Sequence, residues 1–227
     1  MLQPLDRPVW ATLSTKHKSL SQGGALALRY EPDVNLFASA ADDSPEALSA
    51  LARLVSPGEQ IIVLQVPDIR TPEGLGTIKA AKGVQMGWKS KIVLPQEDED
   101  IVALTDEDAA DMLALATLTE PGPFLSHTHI TGGFYGIRAD GRLIAMAGER
   151  LCFEGFAEVS AVCTHPDFRG RGFARRLSAK VAARILARGE TPFLHAWKTN
   201  TAAIALYESL GFQYRCDVNV AVLERAD

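Results

Sequence analysis

Apolar residues change their spacing along this chain, and each change marks an element. Gln60-Ile-Ile-Val-Leu-Gln-Val66 is a continuous apolar run of strand length and predicts a buried strand. Ala25 to Tyr30 and Leu36 to Ala40 read as strands flanking Glu31-Pro-Asp33. Ser44-Pro-Glu-Ala47 predicts a helix start, with Ser44 as N-cap and Pro45 at the first helical position. That helix should run to about Val55, where Ser56-Pro-Gly58 halts it. Farther on, Gly133 to Arg138 and Leu143 to Ala147 predict two strands joined by the Ala139-Asp-Gly141 turn. The β-branched run from Val159 to Thr164 predicts a third strand. Phe173, Leu177, Val181, Ile185 and Leu186 then fall at helical spacing between Gly172 and Arg188, with Gly189 as the stop. Pro192 to Trp197 is a short strand, Thr201 to Leu210 a second helix ended by Gly211-Phe212, and Val218 to Leu223 a last strand.

The most chemical stretch lies between Thr164 and that first helix. His165-Pro-Asp-Phe-Arg-Gly-Arg-Gly-Phe-Ala-Arg-Arg176 runs from a strand end straight into a helix start, with two glycines and several arginines. Free amides and the positive end of a helix face outward at such a junction, and the glycines let backbone approach an anion closely. A pyrophosphate is the anion this suits. A dinucleotide fingerprint is excluded because five residues separate Thr164 from Gly170 and position 175 is arginine. A Walker loop is excluded because no Gly-Lys-Ser/Thr is present.

The spacing Arg169-x-x-Gly172-x-Ala174 resembles the Arg/Gln-x-x-Gly-x-Gly/Ala signature of the GNAT (general control N-acetyltransferase) superfamily. Asn200-Thr-Ala-Ala-Ile-Ala-Leu-Tyr207-Glu-Ser-Leu-Gly-Phe212 resembles the same superfamily's second common motif, in the right order. The resemblance covers the chain from about Ile101 onward, and within the superfamily it looks most like the glycine N-acyltransferase-like branch. It implies an α/β GNAT fold, a mixed central sheet flanked by helices. Residues 1–95 would form a smaller, degenerate GNAT-like α/β half, and residues 96–227 the N-acetyltransferase domain. The acidic run Gln96 to Asp100, after Pro95, is the expected linker.

Composition narrows the setting. The 227 residues carry a net charge of −5 with 22% charged residues and no basic tail, which argues against nucleic acid. No apolar run approaches the ~20 residues that span a bilayer, and no signal pattern opens the chain. Cys152, Cys163 and Cys216 show no CxxC pairing and read as reduced thiols, so a cytoplasmic setting is expected.

The resemblance also implies site roles. Acetyl-CoA would be the acyl donor, with no metal. Backbone of Val162, Cys163 and Thr164 would run beside the pantetheine arm. The amides of Gly170, Arg171, Gly172, Phe173, Ala174 and Arg175 would hold the pyrophosphate, with Arg169 adding charge. Asn200 would touch the pantetheine, or simply cap its helix. Glu158 is the candidate base, with Glu149, Glu154 or a water relay as rivals, and Tyr207 the candidate acid. Arg176 is as well read as a solvated helix arginine. His127-Thr-His129 on a strand would share a face, but two histidines make a poor zinc site. Phe124, His127, His129 and Phe134 are candidate acceptor-side residues, and His195 reads as a structural histidine.

The expected activity is N-acetyl transfer to a primary amine by direct attack in a ternary complex. A small-molecule acceptor is favoured over a protein. The alternatives are a catalytically silent acyl-CoA-binding module and O-acyl transfer. Acceptor identity and oligomeric state stay open.

Overall fold

The computed structural model describes residues 3–89 and 98–226. In chain order the elements are α1 (Pro8–Leu13), β1 (Ser21–Gly23), β2 (Ala27–Tyr30), β3 (Ala38–Ala40), α2 (Pro45–Arg53), β4 (Gln60–Gln65), β5 (Gly76–Trp88), β6 (Ile101–Leu104) and α3 (Ala109–Thr119). There follow β7 (Phe134–Ala139), β8 (Arg142–Phe153), β9 (Phe156–Thr164), α4 (Phe173–Ala187), β10 (Thr191–Trp197), α5 (Thr201–Leu210) and β11 (Phe212–Glu224). Local chemistry explains several boundaries. The Ser44 side chain accepts from the Ala47 amide, and Pro45 opens α2 where no donor is needed. Asp140 and Gly141 both take positive φ, 48° and 79°, as a two-residue turn between β7 and β8 requires.

Eight strands form one sheet in the order β4-β11-β5-β10-β9-β8-β7-β6, and β1-β2-β3 form a small second sheet. Among the described residues only β9 and β10 of the large sheet pair in parallel; its other strand pairs are antiparallel. This is the α/β GNAT architecture, a mixed central sheet flanked by helices. Helices α4 and α5 pack on one face, where Leu177, Val181 and Ile185 meet Val84, Met86, Val159 and Leu194. The amino-terminal segment covers part of the other face, with Leu5, Val9, Leu13 and Phe37 against Leu151, Phe153 and Phe193. Alternation along each strand explains the split: Val84 and Met86 point to the helices, while Gln85 between them points away.

Strands β4 and β5 come from the first ninety residues yet sit beside β11 and β10, so the two predicted segments share one sheet. The boundary expected at 95/96, with Gln96 and Glu97 of the acidic run, lies outside the described residues. Among those described, Asp98 and Asp100 do not float in solvent; both pair with Arg176 at the start of α4. No helix among the described residues is long and apolar enough to cross a membrane.

Gly148 on β8 faces Phe134 on β7 and lets that ring lie flat across the strand. A Cβ there would stand 2.4–2.6 Å from three ring carbons, Cγ among them, so rotation about the ring stem cannot clear it. Gly148→Ala should therefore cost about 1–3 kcal/mol, read as a lower urea midpoint at unchanged slope.

Candidate active site

Two irregularities in the β8–β9 ladder shape the site. Pairing passes from Glu149↔Val159 to Cys152↔Ala157, leaving Arg150 and Leu151 opposite Glu158 alone. It passes also from Met146↔Cys163 to Gly148↔Ser160, leaving Ala161 and Val162 opposite Ala147. Both are bulges, which bend a strand and re-aim side chains. At the second, Ala161 has φ 51°, a left-handed conformation unusual for a residue with a Cβ.

The first bulge turns Arg150 onto Glu158. Arg150 Nε donates to Glu158 Oε2 at 2.9 Å and Nη2 donates to Oε1 at 2.7 Å, a bidentate pair. His195 Nδ1 lies 2.7 Å from Oε1 as well. The Glu158 side chain has no solvent exposure at all. Burial alone would raise this carboxyl, but Arg150 and His195 outweigh burial and hold it down at about 2. The row continues across the sheet. His195 Nε2 is 3.0 Å from Gln85 Nε2, Gln85 Oε1 accepts from Arg215 Nη1 at 2.9 Å, and Arg215 Nη2 reaches Asp6 at 2.6 Å. Five adjacent strands each contribute one member to this buried polar line.

Just beyond Glu158 the sheet opens. Parallel pairing of β10 with β9 covers Thr191↔Phe156, Pro192↔Ala157 and Phe193↔Glu158 and then stops, although β9 continues to Thr164 and β10 to Trp197. Backbone groups of residues 159–164 on the β10 side thus face a cleft instead of a strand. The cleft leads toward the start of α4. Gly170 and Gly172 have φ of 77° and 80°, and a Cβ built on either meets nothing within 4 Å. The first α4 amide with a carbonyl partner is that of Arg176, bonded to Gly172. Among the described residues, no backbone carbonyl accepts from the amides of Gly170 to Arg175. Arg169, Arg171 and Arg175 stand exposed around this loop, Arg171 stacked on Phe168 at 5.0 Å.

On the far side of β9 a narrow slot is lined by Pro121, Gly122, Phe124, Phe134, Arg150 and Ala161, among others. Phe124 and Phe134 meet edge to face at 5.7 Å along its wall.

The structure brings the predicted residues together unevenly. Val162, Cys163 and Thr164 line the cleft edge, and the loop from Arg169 to Arg175 forms an open cradle at its end. Tyr207 packs on Phe212 at 6.1 Å, and its hydroxyl makes no hydrogen bond among the described residues. Burial and the Glu158 charge push that phenol up to about 12, so it stays protonated at neutral pH. Asn200 caps α5, its Oδ1 accepting from the Ala203 amide at 3.1 Å. Glu158 stands at the apex of the cleft, but every donor near it is already engaged. Of the rivals, Glu149 is locked to Arg188 by two hydrogen bonds of 2.9 and 2.6 Å, and Glu154 is exposed in the β8–β9 hairpin.

Phe124 and Phe134 do line the slot. The expected strand at His127-Thr-His129 is instead a 3-10 turn, Thr128–Thr131, because the Thr128 hydroxyl accepts from the Leu125 amide and curls the chain. His127 pairs with Asp33 at 2.8 Å and His129 with Asp106 at 3.3 Å. Arg150 and Gln85 were not foreseen; nothing in their local sequence distinguishes them from ordinary strand positions. His195, read as structural, is the Glu158 partner.

A mixed sheet splayed beside an anion-ready helix start defines the class to which this chain conforms, and comparison with known proteins agrees. Residues 134–222 match the family described as FR47-like protein. A solved structure assigned to the GNAT family of acetyltransferases, from Novosphingobium aromaticivorans, is 42% identical, covers 100% of both chains and superposes with a TM-score of 0.93. A GCN5-related N-acetyltransferase from Kribbella flavida shares the fold at 16% identity and a TM-score of 0.66, covering 100% of this chain and 97% of its own. Among curated proteins, N-alpha-acetyltransferase RimI of Mycobacterium tuberculosis is 38% identical over 92 residues, 38% of this chain and 53% of that protein. The [ribosomal protein bS18]-alanine N-acetyltransferase of Salmonella typhimurium is 38% identical over 77 residues, 34% of this chain and 51% of that protein. The chain thus spans about half the length of these curated relatives. It belongs to the GNAT family of acetyltransferases.

The Glu158 cluster carries a pH signature. Its folded carboxyl lies at about 2 against an ordinary 4.5, so its stabilisation is complete above 4.5 and lost as pH falls toward 2. The amount is roughly 3 kcal/mol. Urea unfolding followed from neutral pH downward should show that loss in this window for the parent protein. In Glu158→Gln the Glu158 share of it should vanish, on a lower baseline.

Proposed function

We propose that this protein transfers an acetyl group from acetyl-CoA to a primary amine by direct attack in a ternary complex. The observation that carries the reading is the cleft between β9 and β10, running from Glu158 to a helix start whose amides have no carbonyl partners among the described residues. Its residues fit the coenzyme. The free edge of Val162, Cys163 and Thr164 suits the amides of a pantetheine arm. The amides of Gly170, Arg171, Gly172, Phe173, Ala174 and Arg175, with the Arg169 charge, suit a pyrophosphate. Asn200 Nδ2 remains free to donate while Oδ1 caps the helix. When bound, the coenzyme supplies the acyl group activated as a thioester.

The chain's own residues divide the remaining work. Tyr207 keeps a proton on a hydroxyl with no internal partner, the requirement for an acid serving a departing thiolate. Cys163 is not a nucleophile, since burial pushes its thiol up to about 11, and this favours direct attack over an acyl-enzyme. Glu158 holds Arg150 at the slot; with its carboxyl near 2 it has little affinity for an amine's proton. The amine therefore reaches the slot neutral, its proton lost to water at the mouth.

We assign a small amine as acceptor, although the curated relatives named above include a ribosomal-protein acetyltransferase. We read residues 1–95 as a degenerate half of the kind preceding a complete GNAT half in the glycine N-acyltransferase-like branch. Here it serves to wall the acceptor side. The setting we assign is cytoplasmic.

One observation favours a second reading: among the described residues the candidate base Glu158 is fully engaged by Arg150 and His195, as in a silent acyl-CoA-binding module. Thiol release from acetyl-CoA with a panel of amines separates the two. Amine-dependent release that falls about tenfold or more in Tyr207→Phe supports the enzyme. Coenzyme binding by calorimetry with no release from any amine supports the silent module. Gly172→Ala should weaken coenzyme A binding about tenfold in the same calorimetry, because the new methyl group enters the cradle and the backbone there sits at φ 80°.

A further inference from the structure

We infer that Gln85 is a positioning residue that fixes the His195 proton on Nδ1, and so keeps Glu158 a standing anion rather than a proton acceptor. The tautomer follows from geometry alone; its consequence for catalysis rests on the acetyl-transfer reading.

The orientation of the Gln85 amide is set from two sides. Its Nε2 donates to the Leu5 carbonyl at 2.9 Å, and its Oε1 accepts from Arg215 Nη1 at 2.9 Å. Reversing the amide would place a nitrogen against the arginine and an oxygen against a carbonyl, losing both bonds. The second Nε2 hydrogen of Gln85 therefore points at His195 Nε2, 3.0 Å away. A ring nitrogen that receives a donor must present its lone pair, so Nε2 carries no proton. The single proton of the neutral ring then sits on Nδ1, which donates to Glu158 Oε1 at 2.7 Å.

Glu158 thus receives three donors: Nη2 and Nε of Arg150, and Nδ1 of His195. Protonating it would turn one of those contacts into donor against donor. Protonating His195 on Nε2 would do the same against Gln85, which is itself completely buried and has nowhere to turn.

The tyrosines that face this pair from neighbouring elements stay protonated and uncharged across neutral pH. Tyr30 of β2 lies well above its ordinary value, chiefly through burial, and Tyr207 of α5 is pushed up to about 12; both feel the Glu158 charge. Arg215 of β11 is paired with Asp6. Arg150 is the countercharge, also raised above its ordinary value. With Glu158 already answered by three donors, the amine must lose its proton elsewhere.

Nitrogen-15 NMR of the imidazole rings in the full chain, with His195 assigned by loss of its signal in His195→Asn, tests the inference without coenzyme or activity. The expected result at neutral pH is a ring protonated on Nδ1 and bare on Nε2. A ring protonated on Nε2, or an imidazolium at neutral pH, overturns the inference. Gln85→Glu keeps an acceptor for Arg215 but presents a carboxylate oxygen to Nε2. In that variant His195 should become an imidazolium at neutral pH, and the pH profile of amine-dependent thiol release should gain a limb absent from the parent. An unchanged ring in Gln85→Glu would show that Gln85 does not set the tautomer. Failure of acetyl transfer with the parent's ring as expected would sink the proposed activity and leave the Gln85 assignment standing.

Discussion

A carboxylate cut off from water must be answered by donors, and the rest of this site follows from how Glu158 is answered. Stripping one partner from a buried ion pair costs about 3–5 kcal/mol. A whole domain is stable by only ~5–15 kcal/mol. The cluster is thus a large fraction of what keeps the centre of the sheet ordered. Arg150 reaches Glu158 only because β8 bulges opposite it. His195 is held in the right tautomer by Gln85, and Gln85 is held by Arg215 and the Leu5 carbonyl. Each member fixes the next, so the row is rigid in the direction across the strands.

The same place is where the sheet parts. Strand β10 stays in register with β5 as far as Trp197, so the divergence is made on the β9 side. The bulge at Ala161–Val162 supplies it, since an extra residue increases local twist and swings the strand end away. An anion locked at the apex and a bulge one turn of the pleat further on together create an open strand edge inside a central sheet, where edges are normally paired. Such an edge is costly to leave empty, which is why an extended, amide-bearing ligand suits it.

What could be read from the sequence, and what could not, divides along physical lines. The cradle was legible because its requirements are local: Gly170 and Gly172 for positive φ, arginines for charge, and helical periodicity right after them. Helix α5 and its Asn200 cap were legible for the same reason. Strand β5 was not, because its first half lies along the surface and alternates with nothing; Lys79 and Lys82 obscure a strand that ends in the core. Helix α3 was missed because its apolar residues run nearly all round. The state of Glu158 was illegible in principle. Its partners stand 8 and 37 residues away in sequence and are brought there by a bulge and by strand order. The resemblance named Glu158 as a candidate base, but nothing local told of the donors around it.

The amino-terminal segment belongs to the site as much as the motif-bearing half does. Phe37 stacks with the Arg150 guanidinium at 4.9 Å and so limits where that side chain can go. The Val34 carbonyl accepts from Thr128 at 2.6 Å and the Asp33 carbonyl from the His127 amide at 3.0 Å, which ties the loop over the slot to the turn after β2. Leu5 and Asp6 close the far end of the polar row. The residues proposed to hold the coenzyme fall on β9, α4 and α5, whereas the slot proposed for the acceptor is bounded by a loop that the first forty residues hold down. A change in acceptor preference therefore need not touch the coenzyme half at all. It would enter through the contacts at Asp33, Val34 and Phe37, where the wall can shift while the cleft, the cradle and Tyr207 remain in place.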